Sequence, residues 1–270
     1  MARKHLPRRH PPLIAVGSGK GGVGKSTVAV NLALALSQLG LAVGLVDLDL
    51  TGPDVPRLLN LRRKSPARHL ELWHSSATPR ALRPVPIKGI AVVSVGFLLS
   101  EDQPLLLSGA LPGLLVERLL NGVAWEGTDL LVADLPPGTD GVTAAVISDP
   151  DTLGLIVVVT PDDLSHLDAR KLVHAAASSD TTVIGAVENF AGLVCPHCGG
   201  DVTLATAVSP GRSLWSEGIE RLVSVPTDIR YAEAAHRGQP VTGAPGSGPE
   251  AAPFNTLAGK VSLALRELGL

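Results

Sequence analysis

Residues 16–27 read Val16-Gly17-Ser18-Gly19-Lys20-Gly21-Gly22-Val23-Gly24-Lys25-Ser26-Thr27. The part from Gly19 to Ser26 fits the pattern G-x-x-x-x-G-K-[ST], a loop whose backbone N–H groups close around phosphate oxygens. The apolar residues 13–16 precede it and predict a buried strand, and the alanine- and leucine-rich residues 28–39 predict a helix. Strand, glycine loop and helix are the context that the motif requires, because a helix N-terminus attracts anions.

This loop predicts a site for ATP and Mg²⁺. Lys25 is expected to reach the β- and γ-phosphates, and the Ser26 hydroxyl to bind the metal. The same loop also fits a dinucleotide fingerprint, Gly17-x-Gly19-x-x-Gly22, with Asp47 downstream. That fingerprint gives no reason for Lys25-Ser26-Thr27, so the triphosphate interpretation is favoured. The expected nucleotide contacts within the loop are Gly19, Lys20, Gly21, Gly22, Val23, Gly24, Lys25, Ser26 and Thr27.

Acidic residues follow two further apolar runs. Residues 42–46 lead into Asp47-Leu48-Asp49, and residues 130–133 lead into Asp134. The carboxyl ends of parallel strands are where α/β sheets bind ligands, and an acid at such an end can hold a metal-bound water. We therefore predict that Asp134 belongs to the magnesium site. The alternative for Asp47 and Asp49 is that they cap the junction between strand and loop.

Apolar runs alternate with helical patterns along the rest of the chain. Strands are predicted over 87–95, 153–159, 182–187 and 222–225, and helices over 111–120 and 165–177. This alternation predicts an α/β fold, a mostly parallel sheet with helices on both faces. The predicted organisation is a disordered basic tail (1–12), a P-loop ATPase domain (13–241), a linker (242–252) and a C-terminal helix (253–270).

Composition excludes several classes of protein. The chain is 45% hydrophobic and 3% aromatic with a formal net charge of -2, which argues against nucleic-acid binding. No apolar run reaches the roughly 18 residues of a membrane span, and none near the N-terminus has signal-peptide length. We expect a cytoplasmic protein without a membrane partner. Residues 61–86 carry many basic residues and are interpreted as solvated surface without an assigned function.

The chain has two cysteines, in Cys195-Pro196-His197-Cys198-Gly199-Gly200. A buried free pair is disfavoured, because proline, histidine and two glycines indicate a tight exposed turn. A redox dithiol starts a helix at its first cysteine, and Gly199-Gly200 start a helix poorly. A closed metal site needs four ligands. One chain supplies two thiolates and His197 as a further candidate, whereas two chains on a two-fold axis supply four thiolates.

Lys20 gives the loop a resemblance to the MinD/ParA/nitrogenase-iron-protein class of ATPases. That resemblance implies a dimer in which Lys20 reaches across to the partner's bound phosphates. It also implies that Asp49 positions the attacking water and that Asp47 is a second-shell magnesium group. The alternative for Lys20 is a solvated loop lysine.

Five motifs in order resemble the Mrp/ApbC/Nbp family of ATP-dependent iron–sulfur cluster carriers, over residues 13–241. They are the phosphate loop, Asp47 to Pro53, Asp134 to Thr139, Val187-Glu188-Asn189 and Val194 to Gly199. The resemblance implies a homodimer, a [4Fe–4S] cluster bridged by Cys195 and Cys198 of both chains, and apo iron–sulfur proteins as recipients. It further implies adenine contacts from Asn189 and from Pro226 to Asp228.

The sequence departs from this family at two places. Asp140-Gly141 stands where Gly-Asp is common, and Leu107-Ser108-Gly109-Ala110-Leu111 lacks the family's tryptophan and arginine. Two rivals also remain: a positioning ATPase that binds DNA or membrane, and a regulatory ATPase with structural zinc at the cysteine pair. The first would need a basic face for DNA or an amphipathic C-terminal helix with a strongly basic polar side, and residues 254–268 carry only Lys260 and Arg266 against Glu267.

Overall fold

The computed structural model describes residues 9–61, 82–97, 111–195, 197–204, 208–243 and 247–270. Three sequence predictions therefore lie wholly or mostly outside the described residues. They are the tail over 1–12, most of the basic segment over 61–86, and the departure over 107–110.

A single sheet of nine strands forms the centre of the described fold. The strands are β1 (Leu13–Gly17), β2 (Val43–Asp47), β3 (Val85–Ile87), β4 (Ile90–Ser94), β5 (Leu130–Asp134), β6 (Thr152–Val159), β7 (Val183–Val194), β8 (Asp201–Val202) and β9 (Arg221–Thr227). Their order is β3-β4-β2-β5-β1-β6-β7-β8, and β9 also pairs with β7. Only β3–β4 and β7–β8 are antiparallel among these pairs, so the mostly parallel sheet predicted from the sequence is confirmed.

Helices cover both faces of this sheet. They are α1 (Lys25–Gln38), α2 (Val55–Leu58), α3 (Leu111–Asn121), α4 (Gly141–Ile147), α5 (Asp163–Ser178), α6 (Ile229–Arg237) and α7 (Ala252–Glu267). Alternate residues of β1 enter different cores: Ile14 and Val16 pack with α1 and α7, and Leu13 and Ala15 pack with α3, α4 and α5. The strands are therefore apolar throughout, as expected for a sheet buried on both sides.

Helix α1 packs against both the sheet and α7, and ten of its fourteen residues are buried. The C-terminal helix α7 also packs against β9, and its residues Phe254, Leu257, Val261 and Leu265 belong to the same core. The division of the chain into a domain, a linker and a separate helix stays a prediction. The apolar face of α7, however, is already covered by α1.

The strand predicted over 87–95 is present as β4 over Ile90–Ser94, but residues 87–89 do not continue it. Residues 85–94 instead form a hairpin, in which β3 and β4 pair antiparallel around Lys88 and Gly89. Both turn residues have positive φ, 49° and 84°, as in the tight turns that suit the twist of a hairpin. Apolar residues stand on both sides of Lys88-Gly89, and Gly89 is the one strong turn residue between them. The sequence pattern therefore did not predict that the chain reverses direction here.

Candidate functional site

The phosphate loop connects β1 to α1 with backbone that glycine permits. Gly22 and Gly24 have φ of 77° and 81°, values that L side chains rarely adopt. Gly19 is required for a different reason: a Cβ there would lie 2.2 Å from the carbonyl carbon of Asp168 in α5. The loop therefore rests directly on the backbone of α5.

Lys25 lies among the acids that end β2 and β5. Its Nζ is 2.6 Å from Asp134 Oδ1 and 3.6 Å from Asp49 Oδ2. The lysine side chain is 7% exposed and the Asp134 side chain is fully buried. The register of the sheet brings these acids together, because Asp47 of β2 and Asp134 of β5 are paired residues at the carboxyl ends of neighbouring parallel strands. The predicted grouping of Lys25, Asp49 and Asp134 is thus present in the fold.

Asp134 has the environment of a metal-site carboxylate. Its Oδ2 is buried and has no hydrogen-bond partner among the described residues. Burial raises the pKa of this carboxyl, and the Lys25 charge and hydrogen bonds from Lys25 and Ser26 oppose the rise. An unpaired oxygen next to the Ser26 hydroxyl fits Mg²⁺ or its bound water, because Mg²⁺ prefers oxygen ligands.

Asp47 is fully buried and holds the segment that follows β2. Its Oδ1 accepts a hydrogen bond from the Asp49 N–H, and its Oδ2 accepts hydrogen bonds from Ser94 Oγ (2.8 Å) and the Val55 N–H. Burial and the neighbouring Asp134 charge raise the pKa of Asp47 well above its usual value. A second-shell magnesium role for Asp47 stays a prediction, and its observed contacts position Asp49.

Asp49 points one oxygen at Lys25 and the other at the turn after β2. Its Oδ1 accepts hydrogen bonds from Thr51 Oγ1 (3.0 Å) and from the Gly52 N–H (3.1 Å). The carboxylate therefore joins Lys25 to the turn that follows β2. Its proposed role with the attacking water stays a prediction.

A cavity of about 460 Å³ opens above the phosphate loop. Seven of the predicted nucleotide contacts, residues 21–27, line it together with Asp49. Sequence reasoning missed other lining residues, which are Ser18, Asp54, Arg57, Leu58, Pro137, Phe190, Ala235 and His236. Arg57 and His236 are the notable omissions, since a basic side chain beside this loop can neutralise phosphate. They come from α2 and α6, two short helices that the apolar pattern did not reveal.

The predicted adenine contacts occupy different places. Asn189 is 6% exposed, and its Nδ2 donates a 2.8 Å hydrogen bond to the Val23 carbonyl, which fixes the phosphate loop to β7. Pro226 and Asp228 do not line the cavity. Asp228 instead caps α6 by accepting a hydrogen bond from the Arg230 N–H, and it pairs with the Arg230 guanidinium. Adenine binding by these three residues stays a prediction.

Lys20 pairs within its own chain. Its Nζ lies 3.0 Å from both carboxylate oxygens of Asp162, the residue that caps α5. Hydrogen bonds from Thr160, the Ser165 N–H and Lys20 outweigh burial and lower the pKa of Asp162. Both side chains are more than a third exposed, so the ion pair is accessible to solvent.

The cysteines lie in the turn between β7 and β8. The Cys195 N–H donates to the Gly200 carbonyl and the Gly199 N–H to the Cys195 carbonyl, which closes a tight turn. Both thiols are free; Cys195 is partly exposed and Cys198 is exposed. Hydrogen bonds from the backbone N–H groups of Cys198 and His197 lower the pKa of the Cys195 thiol. Such a thiol is suited to act as a thiolate ligand.

Comparison with known proteins identifies the family. A model described as ParA, NUBPL iron-transfer P-loop NTPase, matches residues 11–262. The chain belongs to this family. The predicted resemblance and the assignment as a P-loop ATPase are therefore confirmed.

Curated relatives match over most of the chain. An iron–sulfur cluster carrier protein of Pyrococcus abyssi is 35% identical over 260 residues, which are 94% of this chain and 87% of that protein. The iron–sulfur cluster transfer protein NUBPL of Mus musculus is 37% identical over 244 residues, 87% of this chain and 73% of that protein.

Solved structures agree on the fold. A nucleotide-binding protein from Archaeoglobus fulgidus in complex with ADP is 32% identical, with a TM-score of 0.68, over 86% of this chain and 88% of that chain. The cell division ATPase MinD of Pyrococcus furiosus is 22% identical, with a TM-score of 0.65, over 93% of this chain and 98% of that chain. The MinD/ParA-like fold is thereby confirmed. In the described ranges, no helix has the length and hydrophobicity needed to cross a bilayer.

Proposed function

We propose that the protein is an ATP-dependent carrier that holds a [4Fe–4S] cluster as cargo and transfers it to apo-proteins. The observation that carries this proposal is the exposed pair of free thiols, Cys195 and Cys198, at the end of the strand whose Asn189 binds the phosphate loop. One strand thus joins a nucleotide site to a metal-binding turn. The names of the relatives support the same function.

The nucleotide half of the proposal assigns roles to the buried charges. Lys25 neutralises phosphate charge, and Ser26 and Asp134 hold Mg²⁺, which shields the negative charge that develops during phosphoryl transfer. Asp49 orients the attacking water from its place beside Lys25. Catalysis of this kind depends on positioning and charge, so hydrolysis is expected to be slow and coupled to conformation.

The cargo half follows from a count of ligands. A [4Fe–4S] cluster takes four thiolates, and each chain has two cysteines. A homodimer with the two turns on its two-fold axis supplies four, because a symmetric contact presents the same surface twice. The exposure of Cys198 leaves this turn accessible to a second copy.

In such a dimer Lys20 would leave Asp162 for the partner's phosphates. The exchange is inexpensive, because exposed ion pairs contribute about 0–1 kcal/mol. Asp162 would keep its hydrogen bonds from Thr160 and the Ser165 N–H after Lys20 departs.

The second candidate is a MinD/ParA-like positioning or regulatory ATPase with zinc at the cysteine pair. Two free thiols beside His197 suit zinc as well as iron. A membrane-positioning role is disfavoured, because the apolar residues Phe254, Leu257 and Val261 of the C-terminal helix are buried against α1. Zinc at the cysteine pair is therefore the part of this alternative that needs an experiment.

Anaerobic reconstitution separates the two candidates. We expect wild type to hold about four irons and four sulfides per dimer, with the visible absorption of a cluster, and Cys195→Ala to hold nearly none. His197→Ala should keep the cluster if the thiolates are the full ligand set. One tightly bound zinc per chain that is lost in Cys195→Ala, or a full cluster on a monomer, would contradict the proposal.

The nucleotide role needs a separate measurement. Cys195→Ala should keep its thermal stabilisation by Mg·ATP, whereas Lys25→Ala should lose it, since charge-assisted hydrogen bonds to phosphate disappear. Transfer to an apo-ferredoxin should be ATP-sensitive in wild type and ATP-insensitive in Lys25→Ala. Equal transfer by both proteins, with and without ATP, would remove ATP dependence from the function.

A further inference from the structure

A group of side chains that can bind a metal ion lies at the N-terminal end of β1, whereas the phosphate loop lies at the C-terminal end of that strand. His10 precedes β1, and Asp149 and Asp151 precede β6, the strand that pairs with β1. One ligand atom from each of the three residues lies within 4.8 Å of the others. Strand β1 separates this group from the loop by about 16 Å, at roughly 3.3 Å per residue, so it is independent of the nucleotide site.

His10 is buried with an unsatisfied ring nitrogen that faces the acids. Its side chain has no exposed surface, and its Nδ1 lies 2.7 Å from the Pro11 carbonyl. A carbonyl can only accept, so Nδ1 carries the proton and a neutral ring presents its Nε2 lone pair. Among the described residues, no atom hydrogen-bonds Nε2, which is 3.5 Å from Asp149 Oδ1. A lone pair facing carboxylates is unfavourable unless a proton or a metal ion lies between them. Burial acts to lower the pKa of His10, but the neighbouring Asp149 carboxylate outweighs it and raises that pKa, so the site favours a positive charge at Nε2.

The spacing fits a metal better than a hydrogen bond. Strong N–H···O contacts measure about 2.9 Å. Two ligands each about 2.1 Å from one tetrahedral ion lie roughly 3.4 Å apart, close to the observed separation of Nε2 from Asp149 Oδ1. The acids are already ordered, since Asp149 Oδ1 accepts from the Asp151 N–H and Asp151 Oδ2 accepts from the Arg9 N–H.

We propose that His10, Asp149 and Asp151 bind a divalent transition-metal ion, with Zn²⁺ as the best match to one imidazole and two carboxylates. Imidazole favours Zn²⁺ over Mg²⁺ and Ca²⁺, which prefer oxygen. The ion joins the segment before β1 to the turn before β6. It therefore stabilises the fold and takes no part in nucleotide binding or cargo transfer.

The test uses a Cys195→Ser/Cys198→Ser background, because thiolates would otherwise capture zinc. Thermal unfolding is followed with Zn²⁺, Mg²⁺ or no metal, and bound zinc is counted after gel filtration. We expect one zinc per chain and a rise in Tm of about 5 °C at 100 times the Kd, since a ligand that binds only the folded state stabilises it. Mg²⁺ should give no comparable rise.

Variants assign the binding to these residues. His10→Gln and Asp151→Asn should lose the zinc-dependent rise but keep the rise caused by Mg·ADP, which shows that they fold. His174→Gln removes an exposed histidine on α5 and should behave like the background. An unchanged zinc response in both His10→Gln and Asp151→Asn would overturn the proposal. So would the absence of any zinc response in the background, which would leave His10 and Asp149 as a protonated ion pair.

Discussion

Lys25 balances acids that two neighbouring strands bring together. It contacts Asp134 directly and lies near Asp49, while Asp47 is buried beside them. A lysine in this position has two tasks, because it offsets buried negative charge and provides a donor for phosphate. Its removal should therefore affect folding as well as nucleotide binding.

Lys25→Met tests the first task. The substitution keeps a similar length but leaves Asp134 buried without its partner, which typically costs about 3 kcal/mol. We expect a loss of this size in the free energy of unfolding, measured by urea denaturation without nucleotide. Asp134→Asn in the same chain should recover much of it. If the double variant is as unstable as the sum of the single variants, Lys25 and Asp134 are not energetically coupled.

At the scale of elements, the phosphate loop and α5 are in backbone contact at Gly19. Gly19→Ala would place a methyl group 2.2–2.6 Å from backbone atoms of Asp168 and Ala169, so the loop and helix must separate. We expect a Tm lower by several degrees and weak ATP binding. Gly21→Ala is the matched control for the Tm, because its Cβ would meet nothing closer than Pro137 Cγ at 4.0 Å. Similar behaviour of the two variants would show that the contact is unimportant.

Helix α5 also holds the segment 209–217 that precedes β9. His166 is buried in α5, and its Nδ1 accepts a hydrogen bond from the Leu214 N–H (3.2 Å). Burial lowers the pKa of His166. Protonation would place a proton on the accepting nitrogen, so the segment loses this contact in acid.

The sign of the resulting pH dependence follows from linkage. The unfolded chain binds a proton near pH 6.5 and the folded chain only at lower pH, so stability falls as pH falls from about 6.5 towards the folded pKa. Urea denaturation at several pH values should show this loss in wild type, and a smaller loss in His166→Gln. An identical slope in both proteins would mean that His166 titrates normally.

At the scale of the whole molecule, the pair formed by Lys20 and Asp162 opposes the dimer that we propose. Asp162→Asn should release Lys20 while the asparagine still caps α5. Each dimer breaks two such pairs, so we expect the dimer formed with a non-hydrolysable ATP analogue to tighten by up to about thirtyfold, measured by sedimentation velocity. Asp168→Asn, which removes the exposed partner of Lys171 on the same helix, should leave the equilibrium unchanged. A weaker dimer in Asp162→Asn would contradict this account of Lys20.

The sequence predicted the parts of the site that local pattern determines. Asp49 and Asp134 come after apolar runs and Lys25 comes at the end of the glycine loop, so their meeting at the carboxyl ends of the strands could be inferred from parallel topology. Arg57 and His236 could not be inferred, because they reach the cavity through short helices with few buried residues. The full length of β7 was also missed. The apolar run ends at Val187, before the polar residues Glu188 and Asn189, whereas the strand continues to Val194.

Strand β7 connects the phosphate loop directly to the cysteine turn. Asn189 binds the phosphate loop and Cys195 lies six residues further along, at most about 20 Å away. Between them Phe190, with a φ of 57°, forms a bend at the rim of the cavity. The thiol turn therefore lies about 17 Å beyond a bend that borders the phosphate-loop cavity. A tilt of about 5° at the bend would move the thiols by about 1.5 Å, more than half the length of a metal–sulfur bond.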